Sequence, residues 1–381
     1  MRLITAGFAL LTYSFLNYYI GLRGLKSINT KVPVNKYAYW IIIAVLASTY
    51  FVGMLGGKYL PDKLGRAVNT VGGYWLAAFV YLIGIVVIMD VFRILGKKLN
   101  IIPGFLRDRT WLVAAAVVLF VGIILAVGTY NAIVPRIVSY NVSIDKKAGD
   151  METLKCAMIS DVHLGDTIGR DRLRTAVEKI NSLNPDIAVI TGDLIDREIE
   201  PVKKANMLEE LKRLKTKFGA YVIMGNHEYY SNDVGEITRM YEESGLVVLR
   251  DKYVKVNNSF YLVGREDFMA DTSGYHRENL SNLLEGVDKS LPVIVLDHQP
   301  KNLSEARNEG VDLQLSGHTH GGQFFPISLV TSGMFEEDNG YLKDNNFNLI
   351  VSCGYGTWGP TVRIGSRSEV LDININFNYS S

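Results

Sequence analysis

Five short stretches hold the side chains capable of chemistry: Ser160-Asp161-Val162-His163, Thr191-Gly192-Asp193, Gly225-Asn226-His227-Glu228, Asp297-His298 and Ser316-Gly317-His318-Thr319-His320. Five of the chain's 6 histidines, all except His276, fall within them. A lone His-x-His such as His318 and His320 says little, because imidazole pairs occur by chance in loops. Any single Asp or His here reads equally well as a capping or core polar residue. The set is stronger than its members. Carboxylate, imidazole and amide-oxygen donors suit Mn, Fe or Zn and do not suit a thiolate-seeking metal. Asp161, His163, Asp193, Asn226, His298, His318 and His320 are enough donors for two ions. Two ions about 3.5–4 Å apart clamp the attacking and leaving oxygens of an in-line phosphoryl displacement, and acidify the water between them. A carboxylate shared by the ions is the natural bridge, and Asp193 sits mid-set.

The elements that must position these groups are legible in the hydrophobic pattern. Each stretch follows the end of a short apolar run: Leu154–Ile159, Ile187–Ile190, Ala220–Met224, Pro292–Leu296 and Val311–Leu315. Such runs read as buried strands. Between them lie helix-spaced segments: Asp171–Leu183 with Leu173, Ala176, Val177 and Ile180 on one face, then Lys203–Leu214 and Val234–Glu243. Strands alternating with helices predict an α/β layer structure. Ile137–Asp145 alternates and reads as an edge strand. Tyr253–Val256 and Phe260–Val263 read as a hairpin around Asn257-Asn258-Ser259. The hairpin and the strand-rich end, Leu349–Ile375, predict a second, partly antiparallel sheet packed on the first. In α/β sheets ligands bind at the carboxyl ends of strands, which is where all five stretches fall.

The first third is of another kind. Residues 1–135 contain four apolar stretches, about 3–22, 37–55, 71–91 and 111–130. Each is near the roughly 20 residues a helix needs to cross a ~30 Å hydrocarbon core. The first is expected to be a retained span rather than a cleaved signal, because Arg23-Gly24-Leu25-Lys26 follows it and no small-x-small pattern does. Tyr37, Tyr39, Trp40, Tyr74, Trp75, Trp111 and Tyr130 sit near the ends, as interfacial aromatics do. Apart from Asp90, at the end of the third stretch, nothing ionisable lies deep in a span, which leaves a transport role unsupported. The loops expected on one side carry Arg23, Lys26, Lys31, Lys36, Arg93, Lys97, Lys98, Arg107 and Arg109. The other side carries Arg2, Lys58, Lys63, Arg66, Arg136, Lys146 and Lys147. Nine against seven puts the amino terminus and residues 136–381 outside the cytoplasm. A formal net charge of +1 gives no reason to invoke nucleic acid. Cys156 and Cys353, far apart in apolar runs, are expected to be buried free thiols.

The five stretches, in this order, resemble the blocks of the calcineurin-like metallophosphoesterase superfamily. The likeness spans about Leu154 to Gly365. The membrane-plus-phosphoesterase layout, with Gly317-His-Thr-His-Gly-Gly-Gln323 and Gly354-Tyr-Gly-Thr-Trp-Gly-Pro360, resembles its bacterial membrane-anchored members. The resemblance implies two mixed β-sheets sandwiched between helices over residues 136–381, and a dinuclear site for two divalent ions. Asp161, His163 and His320 would hold one ion and Asn226, His298 and His318 the other, with Asp193 bridging. His227 would bind no metal; it would protonate the leaving oxygen or steady the charge on phosphorus, with Glu228 or Asp196 orienting it. Asp196 stands where purple acid phosphatases carry a metal-binding Tyr, which argues against that branch. Asp193-Leu-Ile-Asp-Arg197 is similar to the protein Ser/Thr phosphatase block, whose Arg grips phosphate, although Glu198 replaces the Gly that follows there. Arg197 is therefore a candidate substrate contact, and Arg363 a weaker one.

Two readings follow from this. One is a membrane-anchored hydrolase acting on a lipid, cell-wall or envelope phosphoester, as a phosphomonoesterase or phosphodiesterase. The other is a catalytically silent metal-binding module whose membrane part carries the function. A silent module is expected to have lost ligands, and here every position of the set is filled.

Overall fold

Alternation along the short strands decides the architecture, because successive side chains of a strand point to opposite faces. The structure, a computed structural model, describes residues 2–31, 33–56, 59–99, 109–231 and 233–378. Two compact units divide the chain: Met1–Tyr130 with Gly359–Val362, and Asn131–Trp358 with Arg363–Ser381.

The second unit contains two six-stranded sheets. The first sheet has the order β1 (Arg136–Ile144), β12 (Glu369–Phe377), β2 (Thr153–Ile159), β3 (Ile187–Thr191), β4 (Ala220–Ile223), β5 (Val247–Val248). Its strands are parallel except where β12 meets β2. The second has the order β10 (Gly340–Asp344), β11 (Phe347–Val351), β9 (Leu313–Ser316), β8 (Val293–Leu296), β7 (Phe260–Gly264), β6 (Lys252–Val256). Its middle four strands are parallel and both outer pairings antiparallel.

One face of each sheet packs on the other. Cys156, Met158, Ile187 and Val189 from the first sheet share a cluster with Ile294, Leu296, Leu313, Leu315 and Ile350 from the second. The alternate residues point outward. Ala157, Ile159, Ala188 and Ile190 cluster with Leu173, Ala176, Val177 and Ile180 of a helix over Arg170–Ser182. Val293, Val295, Leu349 and Val351 cluster with Leu280, Leu283, Leu303 and Ala306. The result is a helix, sheet, sheet, helix sandwich, as expected. The predicted edge strand and hairpin are present as β1 and as β6 and β7. The single helix expected over Lys203–Leu214 is broken. A helix at Glu200–Lys204 stops and a 3-10 turn over Met207–Arg213 follows, because Asn206 is left-handed at φ 45°. Cys156 and Cys353 are free and buried.

The first unit is built on α1 (Arg2–Ile28), α2 (Lys36–Gly56), α3 (Asp62–Lys98) and α4 (Thr110–Ile133). Among the described residues three helices, not the four expected, are long and apolar enough to cross a membrane: α2, α3 from Lys63, and α4. Helix α1 is long enough, but Thr12, Tyr13, Ser14, Asn17, Tyr18 and Tyr19 dilute it and Arg23 and Lys26 end it. Asn17 is buried, accepts from Trp75 Nε1 at 3.1 Å and donates to the Tyr13 carbonyl. Asp90 pairs with Arg23 and Tyr19 of α1. Three crossings would put the two ends on opposite sides. Gly72 lies so close to α2 that a Cβ would come within 2.6 Å of the Tyr50 backbone. Of the loop cations counted above, Lys58 and Arg107 lie outside the described residues.

Candidate metal centre

Five strands deliver the candidate donors. β2, β3 and β4 run parallel in one sheet and β8 and β9 in the other, so their carboxyl ends open on a common edge. The chain then turns abruptly. Asp161 (φ 53°), His163 (φ 54°), Asp193 (φ 52°), His318 (φ 73°) and His320 (φ 54°) are all left-handed. For non-glycine residues this costs on the order of 1–3 kcal/mol each and is tolerated where the surroundings over-determine it. Glycines in the motifs allow the close approach. A Cβ on Gly317 would lie 1.8 Å from Ser160 Oγ and 2.4 Å from Asp161 Oδ2. Gly192, at φ 88°, has no room for one beside His298 Nδ1, 2.6 Å away.

The donors meet in two groups. In one, His163 Nε2 and His320 Nε2 are 3.1 Å apart. Asp161 Oδ1 is 3.4 Å from His320 Nε2 and 4.0 Å from His163 Nε2. In the other, Asn226 Oδ1 lies 2.8 Å from His318 Nδ1 and 3.1 Å from His298 Nε2, while Asp193 Oδ2 lies 3.2 Å from His298 Nε2. Asp193 faces both groups, since its Oδ2 is also 3.9 Å from His163 Nε2. Its other oxygen accepts from the His227 backbone N–H at 2.8 Å. All seven expected donors thus converge, from positions as much as 159 residues apart, the separation of Asp161 and His320.

The hydrogen bonds and charges of the site call for positive charge at its centre. His298 Nδ1 is 2.7 Å from the Thr191 carbonyl, which can only accept. Nδ1 therefore carries a proton and Nε2 of the neutral ring turns its lone pair inward. That lone pair faces the Asn226 and Asp193 oxygens, so three acceptors crowd one point and require positive charge there. A second proton on the ring would supply it: burial opposes charge on His298, but the Asp193, Asp161 and Asp267 carboxylates together outweigh burial, and His298 titrates well above the usual range. Asp193 is held low by the same contact, against its burial. Burial and the nearby Asp193 charge push Asp161 up to about 6. Burial pushes His163 down to about 4, His318 down to about 3, and His320 well down, leaving three neutral imidazoles. Nδ1 of His163 is buried and has no hydrogen-bond partner. Among the described residues three overlapping sets of side chains have the spacing to hold an ion: Asp161, His163 and His320; Asp193, His298 and His318; and His163, Asp193 and His227.

His227 lies beside these groups, its ring centroid 4.4 Å from that of His163. Its Nδ1 is 2.7 Å from Asp196 Oδ1. Burial lowers its pKa, but Asp196 and Asp193 more than offset burial and the net shift is upward. Of the two expected orienters, Asp196 makes this contact. Glu228 instead accepts from the backbone N–H groups of Asp193, Ile195 and Gly225 and from the Tyr241 hydroxyl, bracing the turns themselves.

Arg197 is outside the donor cluster. It is exposed and its guanidinium lies 5.3 Å over the Tyr230 ring. Tyr230 in turn lies 5.1 Å from the His227 ring and was not singled out by sequence, although it ends the Asn226-His227-Glu228-Tyr229-Tyr230 run. Arg363 is fully buried and donates to the carbonyls of Gly354 and Gly356, so it cannot reach out to a substrate.

The calcineurin-like phosphoesterase family model matches residues 154–322, the span that carries all five strand ends. A Danio rerio protein, "Transmembrane protein with metallophosphoesterase domain", is 31% identical over 360 residues, covering 88% of this chain and 80% of that one. An uncharacterised metallophosphoesterase of Campylobacter jejuni is 28% identical and aligns over 98% of both chains. One from Helicobacter pylori is 29% identical over 96% of both.

Proposed function

Because the chain belongs to the calcineurin-like metallophosphoesterase superfamily, whose members are metal-dependent phosphoesterases, we propose that it is a membrane-anchored hydrolase of phosphoric esters working through a dinuclear centre. The convergence of two donor groups on the shared carboxylate of Asp193 carries this reading. Asp161, His163 and His320 would hold one ion, and Asn226, His298 and His318 the other, with Asp193 common to both. When bound, two divalent cations of the Mn, Fe or Zn class polarise phosphoryl oxygens and acidify a water at the site.

The chain's own residues supply the remainder. Asp196 fixes His227 through Nδ1, which leaves Nε2–H as the atom that gives a proton to the departing oxygen. The upward shift that Asp196 and Asp193 impose on His227 against burial favours that proton. Glu228 and Tyr241 hold the two turns that carry Asp193 and Asn226 in register. Arg197 on Tyr230 is the candidate contact for the substrate's phosphate at the rim. The apolar helices motivate a lipid, cell-wall or envelope phosphoester as substrate.

The test is metal analysis with turnover of a chromogenic aryl phosphate ester on the detergent-solubilised chain. Two equivalents of metal, activity that stops on chelation, and loss of activity with one equivalent of metal in His320→Ala are expected. Unchanged turnover in His320→Ala would overturn the assignment.

A further inference from the structure

The turn that carries His318 and His320 runs directly into an unusual helix, Ile327–Met334. Its sequence is Ile-Ser-Leu-Val-Thr-Ser-Gly-Met, half of it large and apolar and none of it charged. A helix of this composition normally buries one stripe against a core. Here no residue is buried. Leu329 is 63% exposed, Val330 58% and Met334 69%. The exposure is not the fraying of a loose segment, because the helix is rooted at the metal-centre turn. Gly322 packs so tightly under Ser328 that a Cβ there would come within 2.3 Å of Ser328 Cα. Thr331 Oγ1 donates to Asp338 Oδ2 at 2.6 Å. The Phe335 ring, at the helix end, lies 6.1 Å from the His318 ring.

What covers this face is argued from the chain itself. Helix α4 is apolar enough to span a bilayer, and only Val134 and Pro135 separate it from β1. Two residues extend at most ~7 Å. The last turn of α4, from Asn131, already belongs to the phosphoesterase unit. Within that unit Arg172 donates to the Ala132 and Ile133 carbonyls, which ties the end of α4 to the phosphoesterase fold. A unit tied this closely to a membrane-spanning helix stays at the bilayer surface, where an uncharged apolar helix is stable in the headgroup and acyl boundary.

We propose that helix Ile327–Met334 inserts Leu329, Val330 and Met334 into the lipid surface and so sets the mouth of the metal centre at the bilayer interface. The substrate class that follows is a phosphoester presented by a lipid, delivered along the membrane to His318 and His320. That consequence rests on the phosphoesterase reading; the insertion itself does not.

The experiment uses the full chain in phosphatidylcholine/phosphatidylglycerol nanodiscs. Leu329→Cys, Val330→Cys and Met334→Cys are each labelled with an environment-sensitive fluorophore, Cys156 and Cys353 being buried. Glu285→Cys, an exposed position elsewhere in the unit, is the control. The three helix probes are expected to emit at blue-shifted wavelength and to be quenched by nitroxide-labelled phosphatidylcholine, with Glu285→Cys unquenched. Water-like emission at all three overturns the proposal. So does a blue shift without lipid quenching, which would mean that protein covers the face, and so does equal quenching of the control. The readout needs no catalysis, so an inactive enzyme with quenched probes would refute the hydrolase reading and leave the insertion standing.

Discussion

At the residue scale the centre is a problem in crowded lone pairs. His298 Nε2 lies 3.1 Å from Asn226 Oδ1 and 3.2 Å from Asp193 Oδ2, and His163 Nε2 meets His320 Nε2 at 3.1 Å. Buried acceptors without donors are costly, so the arrangement is one that bound cations would complete. His227 is the position where spacing and expectation diverge. It sits with His163 and Asp193 at ligand spacing, yet its Nδ1 is taken by Asp196. A proton donor rather than a ligand is the reading this contact favours. His227→Ala is therefore expected to lower kcat by about 10²–10⁴-fold while metal content stays at the wild-type value. Asp196→Asn should lose less, by releasing the ring without removing it. Steady-state kinetics beside metal analysis checks both, and loss of an ion in His227→Ala would make His227 a ligand.

At the scale of elements, the helix over Arg170–Ser182 and the 3-10 turn over Met207–Arg213 are locked by one carboxylate. Glu210 accepts from Arg170 at 2.7 Å, from Arg174 at 3.3 Å and from Arg213 at 2.9 Å. Arg174 and Arg170, with Arg213, hold its pKa down to about 2 from an ordinary 4.5. The sign follows from the depressed folded value. The contribution is present above the unfolded pKa near 4.5 and is lost as pH falls toward 2. Glu210→Gln should lower the melting temperature by a few degrees at neutral pH, and the gap from wild type should close in acid. A gap that persists unchanged at pH ~3 would place the effect in packing rather than charge. The same region shows why sequence periodicity misjudged one helix: Met207, Leu208 and Leu211 keep an apolar face, but left-handed Asn206 breaks the axis before them.

At the scale of the whole molecule, the count of apolar helices bears on which side the centre occupies. If α2, α3 and α4, the helices apolar enough to span a bilayer, are the crossings, the segments before α2 and between α3 and α4 still share a side. The cations of α1 then join them, so the nine against seven counted with four crossings becomes ten against six as Arg2 changes sides. The positive-inside rule accordingly favours the phosphoesterase unit outside the cytoplasm. A carboxy-terminal alkaline phosphatase fusion should be active and the matching green fluorescent fusion dark; the opposite pattern would move the unit to the cytoplasmic side.

Period-two apolar runs ending in Asp, Asn and His were enough, without coordinates, to predict a layered α/β unit and the donor set, because strand burial and ligand chemistry are properties of neighbouring residues. The free, buried state of Cys156 and Cys353 followed similarly from their apolar surroundings. Which donors oppose each other, Asp196 rather than Glu228 against His227, Arg363 buried under glycine carbonyls, and an apolar helix left bare beside His320 were decided only by the packed structure. Those outcomes depend on the direction of side chains brought together from two sheets, over separations such as the 72 residues between Asn226 and His298, and no local pattern encodes a direction across a fold.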